Sequence, residues 1–273
     1  METETMHLIA TAIAAARASG QLTSPPSTCI SGFDLDSGYR IGRYLHAKLI
    51  KQGYQPAGRK IGFTNRDTWK EFDLQTPIWA YIYDRTVQFA EENSAEVSLS
   101  AMVAPRLEPE LVFKINKSLK KPPRRPRELL RAVEWMAMGF EIVDCHYPDW
   151  KFTAADAVAD FGVHALLVVG NPAPIDPADT GLLEEQLHTF QVILKKEDRA
   201  FAEGTGANAL GSPLLALSHL CELLSLQEWA EPVQAGELIT TGTLTRLPYI
   251  FSGEKWKMET NGVALSGLEL FMK

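Results

Sequence analysis

Hydrophobic residues follow two different spacings along the chain. In the N-terminal part they recur every three to four positions, which predicts helices over 6–18 and over 37–52, the second capped by Asp36 or Ser37. After Pro105, short apolar or alternating segments separated by turn residues are typical of strands. The pattern therefore predicts an α+β protein that is helical at its N-terminal end and strand-rich afterwards.

Two further helices are predicted within the strand-rich part, over 127–138 and from the N-cap Ser212 to about residue 224. The predicted strands cover 58–63, 78–83, 106–115, 141–144, 165–170, 190–194, 237–241, 255–259 and 268–272. We expect an N-terminal helical or cap region over 1–100 and a strand-rich body over 101–273, which together form one cooperative unit.

The composition is that of a soluble globular protein, with 45% hydrophobic and 22% charged residues in a chain of 273. The net charge of -7 gives no bulk attraction to nucleic acid or to an anionic membrane, so neither is expected as a partner. A basic run over 117–127 is interleaved with prolines and is interpreted as a solvated loop. We expect no segment that is long and apolar enough to cross a bilayer, and no secretory signal.

The three cysteines, Cys29, Cys145 and Cys221, are far apart and odd in number. This argues against a disulfide framework and fits a reducing compartment, so a cytoplasmic location is expected.

Candidate chemistry is concentrated in Glu108-Pro109-Glu110 and in Glu141, which lies in an apolar segment. Residues two apart on a strand share a face, and Pro109 suggests a strand edge or a bulge. Buried carboxylates are costly unless they are paired or bound to a cation, and three convergent carboxylates suit Mg²⁺ or Mn²⁺. The alternative is that E-x-E is incidental and that Glu141 is an exposed edge residue.

Other chemical signals are weak. His164, His188 and His219 have no mutual spacing that indicates a metal site, and each is interpreted as structural. No Gly-x-Ser-x-Gly elbow or dinucleotide fingerprint is present in the sequence. The N-terminus of the helix that begins after Ser212 could bind a carboxylate.

Several segments, taken together and in order, resemble the hydratase and decarboxylase branch of the fumarylacetoacetate hydrolase superfamily. This branch contains the 2-oxopent-4-enoate hydratases and 4-oxalocrotonate decarboxylases of aromatic meta-cleavage catabolism. The matching segments are Gly58-Arg59-Lys60-Ile61-Gly62-Phe63-Thr64, Glu108-Pro109-Glu110, Glu141-Ile142-Val143-Asp144, Val158-Ala159-Asp160, Gly204-Thr205-Gly206, Leu210-Gly211-Ser212-Pro213-Leu214 and Gly236-Glu237-Leu238-Ile239-Thr240-Thr241-Gly242.

The resemblance implies a mixed β-roll or barrel-like core with an N-terminal helical part. It implies that Glu108, Glu110 and Glu141 bind Mg²⁺ or Mn²⁺, and that Lys60 and Asp160 serve catalysis, with Lys60 as a base of lowered pKa or as a carboxylate-orienting residue. The residues that it implies for substrate binding are Arg59, Thr64, His146, Phe161 and Ser212. It further implies a homo-oligomer and a possible complex with a pathway enzyme.

The implied substrate is a small 2-oxo acid or its enol, which would chelate the metal through its carboxylate and keto oxygens. The metal would act as a Lewis acid that stabilises the enolate. The expected function is therefore a metal-dependent lyase, by hydration or by decarboxylation. The alternatives are C–C bond hydrolysis of an acylpyruvate, and a non-catalytic member that binds a 2-oxo acid or scaffolds a partner.

The chain departs from the family pattern at several positions. Phe161 stands where an asparagine is usual, and Cys145-His146 stand where Ser-Arg is common. If that arginine fixes a distal carboxylate, His146 cannot reproduce its bidentate bond, which makes a dicarboxylate substrate less secure. Asn65-Arg66 replace a frequent small hydroxyl residue. Ile78 follows the decarboxylase pattern, since hydratases tend to carry an acid there.

Overall fold

The computed structural model describes residues 3–176 and 180–273. In these residues the α-helices are α1 (Thr3–Ser19), α2 (Pro26–Cys29), α3 (Leu35–Lys51), α4 (Ala154–Ala159), α5 (Thr180–Thr189) and α6 (Pro213–Leu226). The strands are β1 (Pro56–Gly62), β2 (Ile78–Tyr83), β3 (Val87–Phe89), β4 (Ser94–Val97), β5 (Pro105–Ile115), β6 (Val133–Asp144), β7 (His164–Val169), β8 (Ala173–Pro174), β9 (Gln191–Lys196), β10 (Arg199–Thr205), β11 (Leu238–Thr240), β12 (Lys255–Asn261) and β13 (Leu268–Met272). The α+β prediction is confirmed.

The described strands form two sheets. The larger sheet is mixed and has the order β2-β1-β11-β5-β6-β7-β3, with β8 paired to β6. The smaller sheet has the order β10-β9-β12-β13-β4. The helices α1, α3 and α4 pack together, and α4 also contacts β2.

The two longest strands, β5 and β6, lie side by side in the middle of the larger sheet. Most residues of both strands are buried, which their long apolar runs allow because apolar side chains can be covered on both faces. In their antiparallel register Glu108 lies directly opposite Glu141. This pairing brings together two carboxylates that are 33 positions apart in sequence (141 minus 108).

Pro109 lies inside β5, so the prediction of a bulge there is wrong, whereas an edge is present locally because β11 does not extend as far as Pro109. It pairs in regular register with Phe140, and the register shift in β5 occurs farther along, between Lys114 and Ile115. The other side of β5 faces β11 only as far as Thr240, and beyond it the loop residue Leu244 donates its N–H to the Pro109 carbonyl. Proline has no N–H to donate, but at Pro109 no described strand lies on that side of β5. The proline therefore costs the sheet no hydrogen bond.

The predicted helix over 127–138 is also wrong. A short 3₁₀ helix covers Pro126–Ala132, and β6 begins at Val133. Pairing of β6 with β5 down to Val133 overrides the local helical spacing. The predicted N-cap Ser212 is confirmed, since its Oγ accepts the N–H of Leu215 at 3.1 Å.

The expectation that no segment is long and apolar enough to cross a membrane is wrong by length and composition. The segment Gly206–Leu226 meets both criteria. However, 61% of its apolar window is buried inside the protein, where α6 belongs to the main hydrophobic core. Burial in the core accounts for its apolar character.

The division at residue 100 stays a prediction, and the strand pairing bears on how it can be tested. From the first part of the chain, β1 pairs with β11 and β4 pairs with β13. A chain restricted to 101–273 would lose these neighbours and expose the apolar faces that they cover.

We therefore expect the whole chain to unfold in one cooperative transition, with coincident melting curves by far-ultraviolet circular dichroism and tryptophan fluorescence. The fragment 101–273 should not fold when expressed alone. Two separated transitions, or a stably folded fragment, would show that the two parts are independent domains.

Candidate active site

Three glutamates from β5 and β6 converge on one point. One carboxylate oxygen from each of Glu108, Glu110 and Glu141 lies within 4.8 Å of the others. Glu110 and Glu141 are fully buried, and the Glu108 side chain is only 12% exposed. The alternative interpretation, in which Glu141 is an exposed residue at a sheet edge, is therefore wrong.

Two oxygens of this cluster have no hydrogen-bond partner among the described residues. They are Glu110 Oε1 and Glu141 Oε2, and both are shielded from solvent. The other oxygens of the same carboxylates are satisfied: Glu110 Oε2 accepts the N–H of Gly242 at 2.7 Å, and Glu141 Oε1 lies 2.8 Å from His164. An unsatisfied buried carboxylate oxygen is costly, and a hard divalent cation is the partner that removes the cost. The donor set of the cluster thus fits such an ion.

Lys60 is the cation that faces the glutamates. Its Nζ lies 3.0 Å from Glu141 Oε1 and 3.8 Å from Glu108 Oε2, and it donates to the carbonyl of Gly162 at 3.0 Å. The residue is 4% exposed. One ammonium thus stands against three carboxylates, so the cluster keeps excess negative charge when all three are ionised.

The excess charge appears in the pKa values of the glutamates. Burial raises the pKa of Glu108 to about 7, with Lys60 opposing and Glu141 adding to the rise. Burial and the two neighbouring carboxylates raise the pKa of Glu110 well above its ordinary value. Glu141 behaves in the opposite way: burial would raise its pKa, but Lys60 and His164 outweigh burial and lower the pKa to about 2.

The contacts of Lys60 raise its pKa, contrary to the lowered pKa that was expected. Burial does lower the pKa of Lys60, but the carboxylates of Glu141, Glu108 and Glu110 outweigh burial and raise it above its ordinary value. Lys60 therefore carries its proton at neutral pH.

His164 is a site residue that sequence reasoning missed. Its Nδ1 donates to Glu141 Oε1 at 2.8 Å, and its Nε2 lies 2.9 Å from Thr86 Oγ1. Burial lowers the pKa of His164, with the bond to Glu141 opposing. The imidazole fixes one Glu141 oxygen and leaves the other free. His164 reaches Glu141 because β7 pairs with β6, where Val143 is the register partner of His164. A single sequence does not reveal that pairing.

Gly242 and Thr64 shape the wall beside Glu110. Gly242 has φ +93°, and a Cβ there would lie 1.9 Å from Thr64 Oγ1. Only glycine therefore allows the backbone N–H to reach the Glu110 carboxylate while Thr64 fills the space beside it. Thr64 is buried and lines the cleft. Its position is consistent with the predicted role in substrate binding.

The glutamate cluster opens into a cleft of about 730 Å³. Lys60, Glu108 and Thr64 line it, and so do Ile78 and Trp150. The volume suits a small organic acid.

The side chains of Asp160 and His146 make a different set of contacts, although Asp160 is close in sequence to the lining residues Gly162 and Val163. Asp160 forms an ion pair with Arg17 of α1 at 2.8 Å and lies 3.0 Å from His146 Nδ1. His146 also faces Asp144 at 3.6 Å. Neither residue is among those that line the cleft. Their position argues against direct contact with a substrate, because both side chains are used in a buried network that holds α1 on the body.

Arg59, Phe161 and Ser212 also lie outside the cleft lining. The Arg59 guanidinium pairs with Glu237 at 3.1 Å, which follows from its being the neighbour of Lys60 on β1 and so pointing to the opposite face. Phe161 packs edge-on against Tyr83 in the core beneath the helices. Ser212 uses its hydroxyl to cap α6. Their positions give no support to the predicted roles in substrate binding.

No protein-family model matches the chain. It is 34% identical over 205 residues to a 4-oxalocrotonate decarboxylase from Pseudomonas sp, which covers 75% of each chain. The chain belongs to the 2-keto-4-pentenoate hydratase and 4-oxalocrotonate decarboxylase family. The resemblance to this family that the sequence segments indicated is confirmed.

Hydratases are also among the relatives of this chain. It is 28% identical over 237 residues to the 2-hydroxyhexa-2,4-dienoate hydratase of Comamonas testosteroni, covering 86% of each chain. It is also 28% identical over 245 residues to a 2-keto-4-pentenoate hydratase of Paraburkholderia xenovorans, covering 90% of this chain and 87% of the relative. The prediction of a hydratase- or decarboxylase-type enzyme is confirmed at this level.

Solved structures confirm the fold. The 4-oxalocrotonate decarboxylase from Pseudomonas putida G7, complexed with magnesium and adipate, superposes with a TM-score of 0.89 at 21% identity and covers 100% of this chain and 99% of its own. The fumarylpyruvate hydrolase from Pseudomonas aeruginosa, in complex with Mn²⁺ and pyruvate, gives a TM-score of 0.57 at 14% identity, covering 78% of this chain and 88% of its own. The mixed, curved sheet is that of the fumarylacetoacetate hydrolase fold.

The raised pKa values predict how Mg²⁺ binding depends on pH. Protons held by Glu108 and Glu110 compete with the ion, so affinity should rise as pH increases through about 7. The same groups stabilise the metal-free fold at low pH, and that contribution is lost as pH rises through their folded-state pKa. The increase in melting temperature caused by Mg²⁺ should thus be larger at about pH 8 than at about pH 6.

The control for this measurement is Glu110→Gln, which keeps the shape and removes one charge. It should lose most of the response to Mg²⁺ at both pH values. An equal response of the unmodified protein at both pH values would contradict the account of the cluster.

Proposed function

We propose that this family member is a Mg²⁺-dependent decarboxylase of a small unsaturated 2-oxo acid, of the reaction class of the 4-oxalocrotonate decarboxylases. The observation that carries the proposal is the pair of buried, unpartnered oxygens on Glu110 and Glu141. They belong to a cluster whose members Lys60 and Glu108 line the cleft. Hydration of a related dienol is the second candidate, because hydratases are among the relatives.

Glu108, Glu110 and Glu141 would hold the ion. When bound, it would supply Lewis-acid stabilisation of the negative charge that develops on the 2-oxo oxygen. Mg²⁺ is the ion that we propose because all the protein ligands are hard oxygens, and Mn²⁺ can replace it because it prefers the same ligands.

Lys60 would act as an ammonium. Two of its three N–H groups are directed to the Gly162 carbonyl and to Glu141, each at 3.0 Å. The third remains for a substrate oxygen. In this role Lys60 would stabilise charge at the oxygen on C2 and deliver a proton to it, as an acid rather than the expected base.

In the decarboxylation of a 2-oxo-3-enedioate, the bond between C5 and C6 breaks and C6 leaves as CO₂. The electron pair of that bond forms the C4–C5 double bond, the C3–C4 pair moves to C2–C3, and the carbonyl pair moves to oxygen. One proton on that oxygen completes a 2-hydroxydienoate. The reaction thus needs a charge-stabilising group at C2, which Lys60 and the glutamate cluster can provide.

Ile78 favours decarboxylation over hydration. It lines the cleft, is 2% exposed and carries no ionisable group. Addition of water to a double bond needs a group that orients the water or donates a proton. An isoleucine at this wall excludes water instead.

We also propose a cytoplasmic location and a homo-oligomer. The three cysteines are free, as in a reducing compartment. Leu8, Leu226 and Phe251 are exposed apolar side chains that a partner copy could cover. Light scattering coupled to size exclusion would return the mass of a single chain if the homo-oligomer proposal is incorrect. A complex with a pathway enzyme remains a further proposal.

The test of function is turnover with Mg²⁺ on 2-hydroxymuconate-like and 2-hydroxypentadienoate-like enols, following enol absorbance and CO₂ release. Glu110→Gln should lower kcat/KM by about 100-fold or more, because several kcal/mol of stabilisation of the developing charge are lost. The matched control is Glu134→Gln, an exposed glutamate on β6, which should behave as the unmodified enzyme.

CO₂ release that depends on Glu110 is the expected outcome. A hydrated product without CO₂ would establish the hydratase instead, and cleavage into two acids would establish the C–C hydrolase. Silence on the whole panel, with Mg²⁺ still bound, would favour the non-catalytic binding or scaffold role.

A further inference from the structure

Arg106 belongs to the same strand face as the glutamates. It precedes Glu108 by two residues on β5, so its side chain leaves the sheet on the same side. Both residues line the cleft, as does Val143, which is the register partner of Arg106 on β6. The cleft therefore has a cation on the wall that leads away from the glutamate cluster.

The Arg106 guanidinium is held in place by two aromatic rings. Its Cζ lies 4.1 Å from the ring centroid of Trp150 and 4.1 Å from that of Tyr249. One terminal nitrogen donates to the Tyr249 hydroxyl at 2.7 Å, and the Trp150 ring is itself fixed by a bond from Nε1 to the Ala104 carbonyl at 3.0 Å. A guanidinium that is already fixed in its binding conformation loses less conformational entropy when it binds an anion.

Arg106 takes part in no ion pair among the described residues, although four carboxylates besides Glu108 line the cleft, those of Asp67, Glu71, Asp149 and Glu203. Arg17 and Arg59, in contrast, are paired with Asp160 and Glu237. The Nε of Arg106 is shielded from solvent and has no hydrogen-bond partner across 3–176 and 180–273. The terminal N–H groups that the Tyr249 hydroxyl does not use are the donors available to a carboxylate in the cleft.

The separation along β5 suits a short dicarboxylate. Two strand residues span about 7 Å between the Cα atoms of Arg106 and Glu108. A six-carbon chain has five C–C bonds of about 1.5 Å, which span roughly 6 Å as a zigzag. A substrate with its 2-oxo acid end at the glutamates can therefore bring a terminal carboxylate to Arg106.

The position of His146 removes the objection raised by the sequence. His146 is 4% exposed, faces Asp144 and Asp160, and is absent from the cleft lining. The presence of histidine instead of arginine at position 146 therefore does not argue against a carboxylate bound in the cleft.

We propose that Arg106 is the specificity-determining residue that binds the distal carboxylate of a 2-oxo dicarboxylic acid. This rests on the proposed function, because it assumes that the 2-oxo acid end binds at the glutamates. In the decarboxylation above, the carboxylate held by Arg106 is the one that leaves as neutral CO₂. Its interaction with Arg106 weakens towards the transition state, so loss of Arg106 should raise KM without a matching fall in kcat.

The test compares two saturated 2-oxo acids that differ only in the terminal carboxylate, 2-oxoadipate and 2-oxohexanoate. Their affinities for the full chain with Mg²⁺ are measured by titration calorimetry. We expect the unmodified enzyme to bind 2-oxoadipate about 10- to 100-fold more tightly, as a charge-assisted bond to a fixed guanidinium predicts. Arg106→Gln should reduce that ratio to about one while the affinity for 2-oxohexanoate changes by less than about two-fold.

Three further variants sharpen the result. Arg106→Lys keeps the charge without the planar fork and should give an intermediate ratio. Arg246→Gln removes the other arginine of the cleft, which donates to the Phe201 carbonyl, and loss of the ratio in this variant instead would overturn the proposal. Arg131→Gln changes an exposed arginine outside the cleft lining and should have no effect.

The outcomes separate this inference from the function on which it rests. If the unmodified enzyme binds both acids equally, Arg106 does not select a dicarboxylate, but the 2-oxo acid function stands. If it binds neither acid with Mg²⁺ present, the proposed function itself fails. Because the first comparison needs no variant, misfolding of Arg106→Gln would leave the proposal falsifiable.

Discussion

The pairing of β5 with β6 places Glu108 opposite Glu141, and the rest of the site depends on that register. With Glu110 it gathers three carboxylates in a place almost without solvent, against the single ammonium of Lys60. A buried cluster with excess negative charge is destabilising unless it takes up protons or a cation. The raised pKa values of Glu108 and Glu110, and the two oxygens without partners, are consequences of this one constraint.

The cleft is lined by groups of opposite charge because β5 continues beyond the glutamates. Arg106 and Glu108 line the cleft from one face of β5, and Glu110, the next residue on that face, is fully buried. The glutamate cluster attracts a cation, and Arg106 offers a positive charge to an anion in a cleft that is also lined by carboxylates. A molecule that binds a metal through one end and carries a carboxylate at the other matches both, which links the proposed chemistry to the proposed selectivity.

The sequence predicted the parts of the site that depend on local rules. Period-two spacing put Glu108 and Glu110 on one face, apolar flanks indicated that Glu141 is buried, and strands such as Ile78–Tyr83 and Leu268–Met272 were predicted with the correct bounds. Residues that act through long-range contacts were not predictable in this way. Asp160 lies next to Gly162 and Val163 of the cleft, yet its side chain turns to Arg17 of α1, which is 143 residues away in sequence. His164 meets Glu141 only because β6 and β7 pair, and the pKa of Lys60 depends on how many carboxylates the fold brings to it.

The claim that the three glutamates form a divalent-metal centre is tested most directly by a crystal of the protein grown with Mn²⁺ and recorded at a wavelength where manganese scatters anomalously. The account predicts one strong anomalous peak between the carboxylates of Glu108, Glu110 and Glu141, and its loss in Glu110→Gln. A protein that crystallises with millimolar Mn²⁺ at about pH 8 and shows no peak there would contradict it, because that pH is above the pKa of about 7 at which Glu108 loses its proton.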